Sequence, residues 1–243
     1  MHKEAIIEVR ELGKSFGRLQ ALKDLSFCIE KGEIFGLVGP NGAGKSTFIS
    51  ILTTLSKPTS GDIYISGYSA AKQPDRIKKL IGYVPQDIAL YPTLSGLDNL
   101  RFWAGIYGLG GKLKTQRIEE ALDIVRLGDR AKDKVENYSG GMKRRLNIAV
   151  AILHHPEILV MDEPTVGVDI QSRKYILEAV KNFKSNGKTV VFTSHYTDEM
   201  EALCDRLAII DKGVIKSIGT VNELKSMYGK EKIEDIMLSI MEA

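Results

Sequence analysis

The nine residues Gly39-Pro40-Asn41-Gly42-Ala43-Gly44-Lys45-Ser46-Thr47 constrain this chain more than any other stretch. They follow an apolar run, Ile34 to Val38, that reads as a strand, and they open a stretch, Ser46 to Leu55, that reads as a helix. A strand, a glycine-rich loop and a helix N-terminus together make an anion trap. Glycines let backbone N–H groups crowd around phosphate oxygens, and the partial positive charge at the helix end favours negative charge. In the pattern G-x-x-x-x-G-K-S/T, Lys45 reaches β- and γ-phosphates and the Ser46 hydroxyl ligates Mg²⁺.

The rest of the chain is patterned around that unit. Before it, Ile7-Glu8-Val9 alternates, and Leu25 to Glu30 runs into a Lys31-Gly32 turn. After it come two short strand patterns, Gly61 to Ile65 and Leu80 to Val84, the second stopped by Pro85. Residues 87–155 then change period: Gly96 to Gly108, Thr115 to Val125 and Gly140 to Leu153 carry apolar residues at helical spacing. Beyond them strands (Ile158 to Met161, Thr189 to Thr193, Leu207 to Ile210) alternate with helices (Asp169 to Asn186, Thr197 to Cys204), which predicts a largely parallel sheet covered by helices. Thr220 to Glu223 forms a capping box, and Ile233, Ile236, Met237 and Ile240 line one side of a short last helix. At 243 residues the chain is expected to be one domain, with segments 1–86, 87–155, 156–219 and 220–243.

Composition excludes more than it suggests. The net charge of +3 is spread along the chain, too mild to indicate a nucleic-acid partner. The run Lys143-Arg144-Arg145 reads as the solvated face of a helix. The two cysteines, Cys28 and Cys204, lie in apolar segments and are expected to be buried free thiols in a reducing cytoplasm. Met1 to Arg10 has no apolar export-signal core. The longest apolar stretch, Leu146 to Leu153, falls far short of the roughly 20 residues of a membrane-spanning helix.

A phosphate cradle needs an acid to hold Mg²⁺ and a base to activate water. Ile158-Leu159-Val160-Met161-Asp162 is an apolar strand ending in an acid, and Glu163 follows directly. A carboxylate just past the Mg²⁺ ligand can orient or deprotonate a water for in-line attack on the γ-phosphate. A second anion trap precedes this strand: the Ser139 hydroxyl, the N–H groups of Gly140 and Gly141, and the start of a helix.

Tyr138-Ser139-Gly140-Gly141-Met142, lying between the cradle and Asp162-Glu163, resembles the signature motif of ABC proteins, usually written LSGGQ. Other positions follow that family's order. Gln86 resembles the Q-loop glutamine near Mg²⁺, and His195 the switch histidine that contacts the γ-phosphate. Val166 to Asp169 is similar to the D-loop, and Phe16 stands where the family stacks an aromatic ring on adenine. Tyr138 and Met142 depart from the usual Leu and Gln, while the phosphate-facing Ser139, Gly140 and Gly141 are intact.

The resemblance, which spans Ile6 to Gly219, implies an α/β fold: a P-loop NTPase core with a mainly parallel sheet, an N-terminal antiparallel β-subdomain and an inserted α-helical signature subdomain. It implies ATP and Mg²⁺ as ligands, hydrolysis with Glu163 as base, and a homodimer in which each signature covers the ATP in the other cradle. It also implies a separate transmembrane permease contacted through the Gln86 to Leu100 groove, with Tyr91, Leu94 and Leu97 as apolar anchors, and a place on the inner face of the membrane. Tyr91 to Leu94 and Ser194 to Tyr196 resemble exporters of the daunorubicin-resistance type, so export is the expected direction. The alternative is an ABC-type ATPase acting on ribosomes or DNA, which usually carries two cassettes, a long coiled coil or zinc cysteines, none of them seen here. A regulatory module without turnover is disfavoured by the intact Glu163 and His195.

Overall fold

The structure, a computed structural model, describes residues 4–242; the first three residues of the Met1–Arg10 segment lie outside it. Two long strands, β1 (Ala5–Phe16) and β2 (Leu19–Glu30), precede β3 (Ile34–Val38) and the helix α1 (Lys45–Leu52). Then come β4 (Ser60–Ile65), β5 (Tyr68–Ser69), α2 (Pro74–Leu80) and β6 (Ile81–Val84). The helices α3 (Gly96–Ile106), α4 (Gly111–Ile124) and α5 (Gly140–Ile152) form the middle block. The chain returns through β7 (Ile158–Asp162), α6 (Ile170–Ser185), β8 (Thr189–Thr193), α7 (Thr197–Leu203), β9 (Arg206–Asp211) and β10 (Val214–Thr220). It closes with α8 (Val221–Tyr228) and α9 (Ile233–Glu242).

These elements make two sheets. The first is antiparallel, in the order β2-β1-β4-β5. The second runs β10-β9-β3-β8-β7-β6, with all neighbours parallel except the β9–β10 hairpin. Every residue of β3, β7 and β8 is buried, as expected of central strands covered on both faces. Alternate residues feed opposite cores. Leu37, Val160 and Val191 pack with Phe48 and Ile49 of α1 and with Ile7, Leu22 and Ile29 of the antiparallel sheet. Val38, Met161 and Phe192 pack on the other side with Leu100, Ile118, Leu146 and Ile176 from the helical block and α6. Each such side chain contributes about 1.5–3 kcal/mol when fully buried.

The predicted strands and helices are present, with α1 ending at Leu52 and the Thr220–Glu223 capping box formed. Two elements extend past or escape the sequence pattern. β1 runs on to Phe16 because register shifts around Leu12 and a left-handed Glu11 (φ 47°) break its alternation without ending it. α2 has only one buried residue, Ile77, too little to print a helical period.

Two expectations are corrected. Cys28 is exposed, because Leu25, Phe27 and Ile29 occupy the inward face of β2 and Cys28 falls between them; only Cys204 is buried, where burial pushes its thiol well above the usual range. Arg144 is not solvated but 6% exposed, since it shares the inner face of α5 with Gly141 and Ile148. Among the described residues no helix is long and apolar enough to cross a membrane.

Candidate active site

The C-terminal ends of β3, β8 and β7 lie side by side, the position where open α/β sheets bind ligands. Gly39 follows β3, Asp162 closes β7, and Thr193 closes β8 opposite Asp162 in the parallel register. The loop from Gly39 enters α1 through Gly44, whose φ of 112° is a conformation closed to side-chain-bearing residues. α1 therefore starts at Lys45 with its first N–H groups turned toward the loop.

Lys45 is buried, and its ammonium donates to the carbonyls of Gly39 (2.7 Å) and Pro40 (3.1 Å). Burial pushes its pKa down, while the nearby Glu163 and Asp162 carboxylates push it back up. Asp162 accepts a hydrogen bond from Thr193 Oγ1 (2.7 Å), and the same Thr193 oxygen accepts from the Glu163 N–H (2.9 Å). Tyr83, on the neighbouring β6, has its pKa pushed up to about 12 by burial and then by Asp162 and Asp87.

Glu163 is the centre of the constellation. It is 5% exposed and holds a left-handed backbone, φ 49°, rare for a residue with a side chain. Gln86 Nε2 donates to one carboxylate oxygen (3.1 Å), and His195 Nε2 lies 2.7 Å from the other. Both partners are exposed at the mouth of a cleft of about 430 Å³. Phe16, Leu19 and Ala21 form one wall of that cleft; Asn41, Gly42, Gly44, Lys45, Ser46 and Thr47 form its floor. Phe16 is 54% exposed there, with the Lys14 ammonium 4.9 Å from its ring centroid. Pro40 and Ala43 belong to the same loop but face a smaller hollow beside Asp211.

The oxygen donors fit Mg²⁺. Ser46 and Gln86 line the cleft, and Asp162 adds a carboxylate bonded to Thr193. Among the described residues no cluster of three His, Cys, Asp or Glu side chains could hold a metal by itself.

The second anion trap is built but does not line the cleft of its own chain. Ser139 caps α5, its Oγ accepting the Met142 N–H at 3.2 Å, and Ser139 and Gly140 are exposed. A Cβ on Gly141 would overlap Ser172 and come within 2.8 Å of an Asp169 carboxylate oxygen, so the second glycine is required by packing. Asp169 caps α6 by accepting the Ser172 N–H (2.8 Å), and hydrogen bonds from Ser172 hold its carboxyl below the usual range. Asp169 thus lies beside the signature, not beside Lys45.

Tyr138 and Met142 do structural work. Tyr138 is buried, donates its hydroxyl to the Arg130 carbonyl (2.6 Å), and fills space beside Gly96; Met142 packs against the helical core. Of the apolar anchors, Tyr91 and Leu94 are exposed and Tyr91 stacks edge-on with Phe102 (4.8 Å), whereas Leu97 is half-buried in the core.

The sequence reading missed Thr193, which joins Asp162 to Glu163; its signal was a polar residue ending an apolar strand. It also missed Arg144, which donates to the Pro85 and Gln86 carbonyls (2.6 and 2.5 Å) and so fastens the signature helix to the Gln86 loop.

Residues 22–166 match the family model described as ABC transporter. The chain is 49% identical over 234 residues to the linearmycin resistance ATP-binding protein LnrL of Bacillus subtilis (strain 168), covering 96% of this chain and 75% of that protein. Its fold superposes with a TM-score of 0.88 on a solved ATP-binding subunit of an ABC transporter, at 29% identity over 97% of this chain and 99% of that one. A second solved structure, a dimeric ATP-binding cassette in a post-hydrolysis state with ADP and Pi, matches at TM-score 0.79 and 28% identity over 88% and 98%. The chain belongs to the ABC transporter family as one of its ATP-binding ATPase subunits.

Proposed function

We propose that two copies of this chain close head to tail around ATP, hydrolyse it, and drive export through a separate membrane permease. The observation that carries the reading is the Glu163 carboxylate, held between Gln86 and His195 at the mouth of the cleft whose floor is the Lys45 loop. Phe16 stacks on the adenine. Gly39 to Thr47 wrap the phosphates with backbone N–H groups, and Lys45 exchanges its carbonyl partners for phosphate oxygens. Ser46, Asp162 and Gln86 offer oxygen ligands to Mg²⁺, which neutralises charge on the phosphates.

Glu163 accepts a proton from the attacking water, and its strained backbone keeps the carboxylate aimed into the cleft. His195 donates to the γ-phosphate and steadies the departing group. Ser139, Gly140 and Gly141 of one copy complete the pocket of the other, with Asp169 beside them. Hydrolysis weakens that closure and the pair opens.

Tyr91, Leu94 and Phe102 present an exposed apolar surface next to the Gln86 loop, suited to a short helix of the permease. The chain would then sit on the cytoplasmic face of the membrane through that partner. Relatives named for linearmycin and doxorubicin resistance support outward movement of the cargo.

Glu163→Gln tests the core of this reading. It is expected to lower kcat by at least 100-fold and to accumulate an ATP-bound dimer, read by size exclusion with Mg-ATP. Wild-type turnover in that variant would remove Glu163 from the role of base.

A further inference from the structure

Another buried carboxylate lies outside the cleft. Glu199, on α7, is 2% exposed and does not line the nucleotide pocket. One of its oxygens accepts hydrogen bonds from Thr165 Oγ1 (2.8 Å) and Ser194 Oγ (2.7 Å). The other accepts from Arg173 Nε of α6. Arg173 is itself braced, donating to Asp198 (3.1 Å) and lying 4.5 Å from the Tyr196 ring centroid, and Ser194 Oγ accepts the Tyr196 N–H (3.0 Å).

The partners give this carboxylate its meaning. Thr165 stands two residues after Glu163, and Ser194 immediately precedes His195. Both are buried, so their hydroxyls have no water to turn to. A carboxylate withdrawn from water is costly to keep, and an apolar side chain could have filled the space beside Met200 and Leu203. What the carboxylate provides, and an apolar side chain does not, is direction. One oxygen, shared by the two hydroxyls, fixes the loop after β7 relative to the loop after β8, and the other ties both to Arg173 of α6.

We propose that Glu199 is a positioning residue for hydrolysis: by bridging Thr165 and Ser194 it holds Glu163 and His195 in the register that gives their 2.7 Å contact. The inference rests on the roles assigned above to Glu163 and His195. Glu199 touches no nucleotide, so its loss acts on turnover and leaves binding in the Lys45 loop alone.

The test is steady-state ATPase kinetics, with ADP affinity and thermal unfolding measured on the same purified chains. Ser194→Ala and Thr165→Val each remove one bond without burying an unpaired charge. Each is expected to lower kcat about tenfold, the equivalent of about 1.4 kcal/mol in the barrier, with KM and ADP Kd changed less than about twofold. The double variant should lose less than the product of the two, because both act through one carboxylate. Thr165→Ser, which keeps the hydroxyl, should return kcat to within about threefold of wild type, and Glu199→Gln should fall at least as far as either single variant. Unchanged kcat in Ser194→Ala, Thr165→Val and Glu199→Gln overturns the proposal, as does a loss that tracks Tm or ADP affinity. Glu163→Gln and His195→Ala separate the two levels. If these keep turnover, the assigned roles and this inference fall together; if they lose it while the Glu199 set keeps it, only this inference falls.

Discussion

At Glu163 the chain tolerates a left-handed backbone that costs a side-chain-bearing residue about 1–3 kcal/mol, and the bond from its N–H to Thr193 Oγ1 holds it there. Lys45 is the cationic counterpart, drawn toward the same place by the Glu163 and Asp162 charges. Charge-assisted hydrogen bonds of this kind are worth about 1.5–3 kcal/mol each. Lys45→Ala is therefore expected to weaken Mg-ATP affinity by about 10- to 100-fold while the fold survives, as titration calorimetry and thermal unfolding would report. Unchanged affinity would contradict the cradle. Residues of this sort were legible because phosphate chemistry admits few substitutes and fixes their spacing. Thr193, Glu199 and Arg144 were not, since each acts through a partner distant in sequence. A threonine or glutamate tells nothing of its neighbour until the strands and helices are laid side by side.

Among the elements, α5 carries the most. Its first turn presents Ser139 and Gly140, its inner face is packed in the core, and Arg144 ties it to the carbonyls of Pro85 and Gln86. Burial works against the charge on that guanidinium, with Asp87 and Asp162 opposing. Arg144→Met keeps the bulk and removes both bonds. We expect it to lower the unfolding free energy by about 2 kcal/mol and to reduce turnover more than ATP affinity, measured by urea unfolding and ATPase kinetics. An unaltered rate would mean that the Gln86 loop needs no such tether. The sequence hid this contact because three consecutive basic residues look like a wetted helix face. The i, i+3, i+7 relation of Gly141, Arg144 and Ile148 was the signal available. The same limit applied to β1, where a bulge interrupts the period, and to α2, which buries a single side chain.

For the whole molecule the decisive fact is that the Lys45 loop floors the cleft while the second anion trap of the same chain takes no part in its lining. Ser139 and Gly140 are exposed and absent from its lining. Ser139→Arg places a long cation on that exposed cap without touching the cradle. It should abolish the ATP-induced dimer of Glu163→Gln, with monomer nucleotide affinity within about threefold of the parent, as light scattering and a fluorescent ATP analogue would show. A normal dimer would refute pairing through the signature. The layered fold could be read in advance because alternating strands and helices admit few arrangements. The head-to-tail pairing came only as what the family resemblance implies, since it depends on surfaces that no periodicity describes.

Gly141 leaves room for Asp169 and Ser172, so the start of α6 is seated on the start of the signature helix. The main chain reaching Asp169 has just left Glu163. In a two-fold pair built as proposed above, the patch that each copy lends to its neighbour's ATP would thus be coupled to its own Glu163 across six residues of backbone. Spending the nucleotide on one side would loosen the lid on the other, and the two chambers would take turns.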